Sequence, residues 1–305
     1  CDKGWYHMNK QTKPSLRAKN AVERGMNLVF LLCGFIAIAF VVLITIYLIL
    51  SGLPAIKEVG LIDFLFGTRW ASTDKTNPAY GILPFILTSI YGTAGAIIIG
   101  VPIGFLTAVF LAKVAPPKVA AVIRPAVDLL AGIPSVVYGL VGMIVLVPAI
   151  RRASGLAPGP AAGGHSGADG HGAASIINVA ETALQAVPRE YEEASLALGA
   201  TETETYFRVS LPAARSGVAA AVVLGVGRAI GEAMAIIMVA GNVANMPGLF
   251  TSVRFLTTGI ISGMSDAAVG SLYQQALFSI GLVLFLFIML INVLLNVCIK
   301  RKKED

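Results

Sequence analysis

Residues 25–56 read GMNLVFLLCGFIAIAFVVLITIYLILSGLPAI, an uninterrupted run without one charged side chain. A helix of about 20 apolar residues crosses the hydrocarbon core of a bilayer. This run is long enough to do so, with Leu28–Leu50 as its core. No small-residue cleavage signature follows it, so it reads as a retained anchor and not a removed signal. Met8 offers a natural start, with residues 1–7 as leftover upstream sequence.

Working outward, four more runs have the length of a span: 76–112, 129–150, 216–243 (interrupted only by Arg228 and Glu232) and 276–299. The whole composition agrees. Of 305 residues, 56% are hydrophobic and 13% charged, against roughly 25% charged in soluble domains, and the mean hydropathy is +0.79. Too few polar side chains exist to coat a soluble surface, which excludes a soluble enzyme, a disordered regulator and a disulfide-rich secreted domain. Cys1, Cys33 and Cys298 form no framework and no metal spacing; Cys33 and Cys298 read as small apolar packing residues. The expectation is an all-α, polytopic transmembrane helical bundle, with six spans expected and five clearly seen.

The charges sit mainly in residues 1–24, 181–215 and 300–305. The net charge of +6 therefore needs no nucleic acid. Basic residues flanking apolar runs set membrane orientation. The N-tail (Lys3, Lys10, Lys13, Arg17, Lys19, Arg24), the 113–124 loop (Lys113, Lys118, Arg124) and the C-tail (Lys300, Arg301, Lys302, Lys303) all read as cytoplasmic; the 51–75 and 244–275 loops fit the outer side. The crossings then fail to balance. Three spans from a cytoplasmic N-terminus leave residue 150 outside, while counting back from the C-tail puts 181–215 inside. Between them lies Arg151–Ser175, rich in Gly, Ala and Pro, with no apolar run of span length. Three readings stay open: a sixth span is missing from this sequence, an earlier run re-enters, or 181–215 lies outside. His165, Asp169 and His171 in this segment are metal-ligand types, but a Gly-rich loop fixes no coordination geometry, so a solvated linker is preferred.

Residues 188–212 read PREYEEASLALGATETETYFRVSLP. Pro188 suits a helix start and Glu190, Glu192 and Glu193 complement the dipole of its first turns. Gly199 suits a left-handed stop, Thr201 with Glu204 three residues on has capping-box spacing, and Pro212 marks the next boundary. Two short helices joined by a turn are predicted. By periodicity alone this is no more than a surface hairpin.

The spacing of Glu193-Ala194-Ser195, Gly199 and Val209-Ser210-Leu211-Pro212 resembles the EAA signature of bacterial ABC-importer permeases, with Ser195 and Val209 as mild departures. That resemblance implies a MetI-like permease fold and makes residues 188–212 a coupling loop. Glu193, Ala194, Ser195, Gly199, Leu211 and Pro212 would then serve coupling to an ATPase, with Glu193, Ala194 and Gly199 on the docking surface. The chain has no Gly-Lys dipeptide and so no P-loop; ATP hydrolysis falls to a partner, and neither a cofactor, a catalytic residue nor a metal is assigned to this chain.

The fourth run contains Gly227-Arg228-Ala229-Ile230-Gly231-Glu232. Arg228 and Glu232, four apart, are predicted to share one helix face. Charges at membrane depth usually face a cavity or a partner, and the guanidinium fork suits phosphate oxygens. Glu232 would accept a proton-bearing oxygen or hold Arg228 in place. Gly225, Gly227 and Gly231 would let a helix or ligand approach. The plainer reading is an Arg–Glu pair sealing two helices; the anion path is preferred.

GRAIGEAMAIIMVAGN (227–242), LLAGIPSVVYG (129–139) and ALQAVPREYEEASLALGAT (183–201) resemble PstC-type permeases of phosphate ABC importers, a likeness covering most of 25–150 and 176–300. It implies a multi-pass protein of the bacterial plasma (inner) membrane that forms half of a phosphate pathway. The implied partners are a second, PstA-type permease subunit, two ATP-binding subunits and an extracytoplasmic phosphate-binding protein, besides the lipid bilayer. The implied organisation is a basic N-tail (1–24), a first span (25–56), a permease domain (81–299) and a basic C-tail (300–305). Alternatives are a permease for sulfate, molybdate or phosphonate, and an ion-coupled secondary transporter or channel needing no ATPase. An intramembrane enzyme is disfavoured, because H-E-x-x-H, G-x-S-x-G and paired membrane aspartates are all absent.

Overall fold

The structure is a computed structural model that describes residues 16–72, 74, 76–154, 161–248 and 251–301. The chain divides into two units, one ending at Leu48 and the other beginning at Ile49. The first unit is helical from Leu16 and continues into the second as α1 (Leu16–Val59). Its large side chains, such as Phe30, Phe35 and Ile38, are exposed along all sides, as befits a helix solvated by lipid. Cys33, expected to pack internally, is exposed and free; an apolar helix bathed in acyl chains needs no protein partner for a thiol.

In the second unit the chain runs through α2 (Leu61–Phe66), a hairpin of β1 (Trp70–Ala71) and β2 (Ala79–Tyr80), α3 (Leu83–Val109), α4 (Pro117–Gly132), α5 (Ser135–Val141), α6 (Val147–Ser154), α7 (Ala161–Gln185), α8 (Arg189–Ala197), α9 (Glu202–Thr205), α10 (Leu211–Gly231), α11 (Met234–Ala240), α12 (Leu256–Met264) and α13 (Leu272–Arg301). π-helical turns at Phe110–Val114, Gly142–Leu146 and Tyr206–Ser210 continue α3, link α5 to α6 and join α9 to α10. One core gathers Ala55, Phe64, Tyr80, Ile82, Phe85, Leu256, Leu277 and Ile280, with Trp70 edge-on to Tyr80 at 5.7 Å between ring centroids. There the last turns of α1 meet α13 closely: a Cβ on Gly52 would stand 2.9 Å from the Ser279 amide nitrogen, and the Ser279 hydroxyl donates to the Gly52 carbonyl at 2.6 Å.

Several boundaries differ from the sequence reading. Residues 113–124, expected as a loop, are mostly helical, because α4 begins at Pro117. The run 129–150 is not one straight span. The helices on either side of Ile133–Pro134 meet at 97°, since Pro134 forces Ile133 into the extended region (φ −66°, ψ 130°). The run 216–243 is also broken: α10 stops at Gly231 and Glu232 is extended (φ −68°, ψ 129°).

The largest difference concerns residues 151–175, expected as a linker. From Ala161 they belong to α7, a helix of 25 residues, which at about 1.5 Å per residue is as long as a bilayer core is thick. It packs on α3, α4, α10 and α11. Gly172, Ala174, Ser175, Ile176, Ile177, Ala180, Glu181 and Leu184 are buried. A helix packed on four others needs small residues for close approach more than hydropathy, and hydropathy marks only the helices that face lipid. The side chains of His165, Asp169 and His171 lie outside the described residues, as do residues 1–7 with Cys1, and the side chain of Cys298.

Candidate functional site

Two places carry the predicted residues: the break between α10 and α11, and the loop from α8 to α10. At the break, the shared helix face expected for Arg228 and Glu232 does not form, because the helix ends between them. Arg228 stays on the last turn of α10, where it is exposed and its Nη1 donates to the Ser175 hydroxyl of α7 at 3.2 Å. Tyr138 of α5 lies within its electrostatic reach. Glu232 is half-buried and holds the break together. Its Oε1 accepts from the Ala235 amide in the first turn of α11 at 3.2 Å, and its carbonyl accepts from the Thr257 hydroxyl of α12 at 3.2 Å. The side chain thus caps a helix that the broken backbone leaves with free amides.

The glycines expected to permit close approach divide. Gly225 faces α7, where a Cβ would come within 3.1 Å of the Gly172 carbonyl oxygen. Gly227 and Gly231 have nothing within 4 Å of that position. The turn of α10 carrying Arg228 therefore borders open space in this chain taken alone.

The loop forms as its residue types dictate. α8 starts after Pro188. Gly199 turns the chain at φ +88°, a left-handed conformation that side chains with a Cβ resist. Thr201 and Glu204 make the reciprocal capping box, with the Thr201 amide donating to Glu204 Oε2 at 3.1 Å. The Ser195 and Thr205 hydroxyls, 2.9 Å apart, tie α8 to α9. Glu193 and Ala194 are exposed, and beside them project Tyr191, Leu196 and Leu198, the last 91% exposed. Leu211 and Pro212 lie elsewhere, in the first turn of α10, with Leu211 packed against the core of Val109, Leu184, Val187 and Ala214.

Sequence reasoning missed two ion pairs, of which the first fastens this loop and the second ties α4 to α7. Lys113, in the π-turn after α3, reaches Glu192 of α8 at 2.5 Å, both side chains largely shielded from solvent. The Ser210 hydroxyl donates to the same carboxylate oxygen at 2.7 Å. Burial works to raise the Glu192 carboxyl, but the Lys113 and Ser210 hydrogen bonds and the charges of Lys113 and Arg189 outweigh it and hold the group below its usual range. Arg124 of α4 pairs with the buried Glu181 of α7 at 2.6 Å, and its Nη2 donates to the Leu111 carbonyl at 3.3 Å. In sequence, Lys113 and Arg124 show only as orientation signals. A spacing signal existed: the two bases and the two acids are each eleven residues apart, so antiparallel segments can match both pairs. Among the described residues no three potential metal ligands come together.

The comparisons agree with this architecture. The alginate ABC transporter solved in complex with an alginate pentasaccharide-bound periplasmic protein contains a chain similar to this one with a TM-score of 0.63 and 18% identity, over 92% of this chain and 96% of that chain. A chain of the MetNI methionine ABC transporter in an inward-facing conformation is similar with a TM-score of 0.52 and 18% identity, over 72% of this chain and 94% of that chain. In sequence, the probable ABC transporter permease protein YqgH of Bacillus subtilis is 40% identical, over 86% of this chain and 87% of the relative. The phosphate transport system permease protein PstC of Haemophilus influenzae is 33% identical, over 88% of this chain and 91% of the relative. Residues 100–303 match the family described as binding-protein-dependent transport system inner membrane component. Such subunits work with substrate-binding and ATPase partners and leave ATP hydrolysis to the latter. The chain belongs to this family and is an inner-membrane permease subunit of an ABC transporter.

Proposed function

We propose that this permease carries inorganic phosphate inward and forms half of the pathway with a second, PstA-type permease subunit. The supporting relatives are PstC proteins from Haemophilus influenzae, Xylella fastidiosa and Mesorhizobium japonicum, 31–33% identical over 74–88% of this chain. The observation that carries the reading is Arg228, a permanent cation on an open turn of α10 directly before a break at Glu232. A helix interrupted at membrane depth is tolerated where it lines a cavity, and a guanidinium there matches a tetrahedral oxyanion. Glu232, fixed by α11 through Oε1, keeps its second oxygen to accept the proton of a hydrogen phosphate.

The N-tail, C-tail and residues 188–212 face the cytoplasm in this reading, with α7 as the sixth crossing. Glu193 and Ala194, backed by Ser195 and Gly199, form the docking surface for the ATPase; Leu211 and Pro212 carry its motion into α10. A phosphate-binding protein delivers the substrate from the outer side.

Phosphate uptake by a strain lacking its own phosphate permeases, complemented with this chain and its partner subunits, tests the substrate. Restored uptake that fails with Arg228→Ala is expected. Restored uptake of sulfate or molybdate, with none of phosphate, would replace the substrate by another oxyanion.

A further inference from the structure

We infer that Arg254 is a second oxyanion-binding residue of this permease, holding the transported anion on the outer side of the α10–α11 break. The inference rests on the phosphate-path reading for the identity of the ligand, but its geometry is independent of Arg228.

After α11 the chain turns at Gly241 (φ +81°) and Asn242, a non-glycine residue at φ +53°. It then folds back so that the Val253 amide reaches the Ala240 carbonyl at 3.0 Å. The Ser252 hydroxyl donates to the same carbonyl at 3.2 Å. Arg254 follows directly. Its Nε donates to the Asn242 carbonyl at 3.2 Å and to Asn242 Oδ1 at 3.0 Å, and its Nη2 donates to the same carbonyl at 2.8 Å. The guanidinium carbon lies 5.7 Å from the Phe85 ring centroid.

A guanidinium has two edges that can grip a planar or tetrahedral oxyanion in two-point fashion. Asn242 occupies the edge formed by Nε and Nη2. The other edge, formed by Nη1 and the second Nη2 proton, meets no acceptor among the described residues, and no carboxylate there lies within ion-pair distance of Arg254. The side chain is half-buried, so the charge is partly desolvated, which is costly for a cation without a counter-ion. Neither the carbonyl of Asn242 nor the face of Phe85 neutralises it. They do preset its direction, with Asn242 itself held in the left-handed region at φ +53°. An anion on the unpaired edge completes the arrangement.

Its position suits a path. Phe255, the next residue, packs with Ala229 of α10 and Ile236 of α11, and Thr257 donates to the Glu232 carbonyl. Arg254 is thus mounted on the segment 253–257 that contacts both sides of the break, while Arg228 sits on the last turn before it. With the 244–275 segment on the outer side, an incoming anion meets Arg254 first and Arg228 second.

The test is arginine-selective labelling with phenylglyoxal, read by peptide mass spectrometry on the assembled importer in detergent free of phospholipid. Inorganic phosphate is expected to slow labelling of Arg254 several-fold in the wild type. Arg254→Gln is expected to lower phosphate uptake by about tenfold, the worth of one charge-assisted hydrogen bond, while Arg254→Lys keeps part of it. In an importer that carries phosphate, labelling that phosphate does not slow, uptake by Arg254→Gln at the wild-type rate, or protection by phosphatidylglycerol but not by phosphate would each overturn the inference, the last in favour of a lipid headgroup. A wild-type importer that ignores phosphate but carries another oxyanion, with Arg254 protected by that ion, overturns the substrate and leaves this site standing.

Discussion

The Lys113–Glu192 pair allows the attachment of the loop from α8 to α10 to be tested quantitatively. Glu192→Gln leaves the Ser210 bond possible and removes the charge opposite Lys113. At the observed 2.5 Å and an effective dielectric near 20, the gross attraction is about 7 kcal/mol, most of which repays desolvation. Exposed pairs net roughly 0–1 kcal/mol, and removing one partner of a fully buried pair costs about 3–5 kcal/mol. Here the Lys113 and Glu192 side chains retain 10% and 19% exposure, which places the loss near 2 kcal/mol, between those limits. The loss falls on the attachment of α8 to the end of α3, because Ser210 and Lys113 are the two groups that hold Glu192. Hydrogen–deuterium exchange reads it directly: amides of residues 192–198 should exchange about 30-fold faster in Glu192→Gln, the equivalent of 2 kcal/mol. Those of α13 should not change. Lys113→Met should do the same, and the exchanged pair Lys113→Glu with Glu192→Lys should recover part of the protection. Unchanged exchange in α8, or single-variant effects that simply add in the double variant, would refute the reasoning that this contact fastens the loop.

The same pair predicts a pH response. Because the native Glu192 carboxyl lies below its usual range, its stabilisation is complete above the unfolded value of about 4.3 and is lost as pH falls through the lower native value; α8 protection should therefore be flat from neutral pH down to about 5 and decline only in stronger acid. Gly199→Ala should cost about 1–2 kcal/mol although the space around it is open, since the penalty comes from φ +88° and not from contact; faster hydrogen–deuterium exchange over residues 194–201 would show it. Gly225→Leu, by contrast, drives a side chain into the Gly172 carbonyl and Ile176 and should cost about 3 kcal/mol or more as overpacking, seen as loss of monodisperse protein on size-exclusion chromatography. Thr201→Ala removes the cap of α9 and should cost about 1 kcal/mol, measurable as faster exchange over residues 202–206.

Much of this was legible in particular residues. The capping box at Thr201 and Glu204, the left-handed turn at Gly199 and the helix after Pro188 all follow from local backbone chemistry. Local chemistry acts over three or four residues, which a sequence displays directly. Arg228 and Glu232 do not share a face, because i to i+4 spacing presumes an unbroken helix and α10 ends between them. Glu232 instead ends up capping α11, a role created by the break itself. Lys113 and Arg124 carry no sign of their pairing in the local sequence, because their partners, Glu192 and Glu181, lie 79 and 57 residues away. Nothing marked Arg254, one arginine in a weakly charged loop, whose meaning depends on Asn242 and Phe85 being brought to it.

The sequence by itself determined the solvent of this protein and its local hinges. Long uncharged runs can satisfy their backbone only as helices in lipid, and proline, glycine and capping pairs act through their neighbours. The tertiary structure alone decided which helix lies at the centre. α7 is too polar to be found by hydropathy, yet it is the helix on which α3, α4, α10 and α11 converge. The reason is that hydropathy measures the cost of meeting lipid, and over residues 172–185 most of α7 is turned to other helices instead. There, Gly172 against Gly225 and Glu181 against Arg124 count for more than any number of leucines.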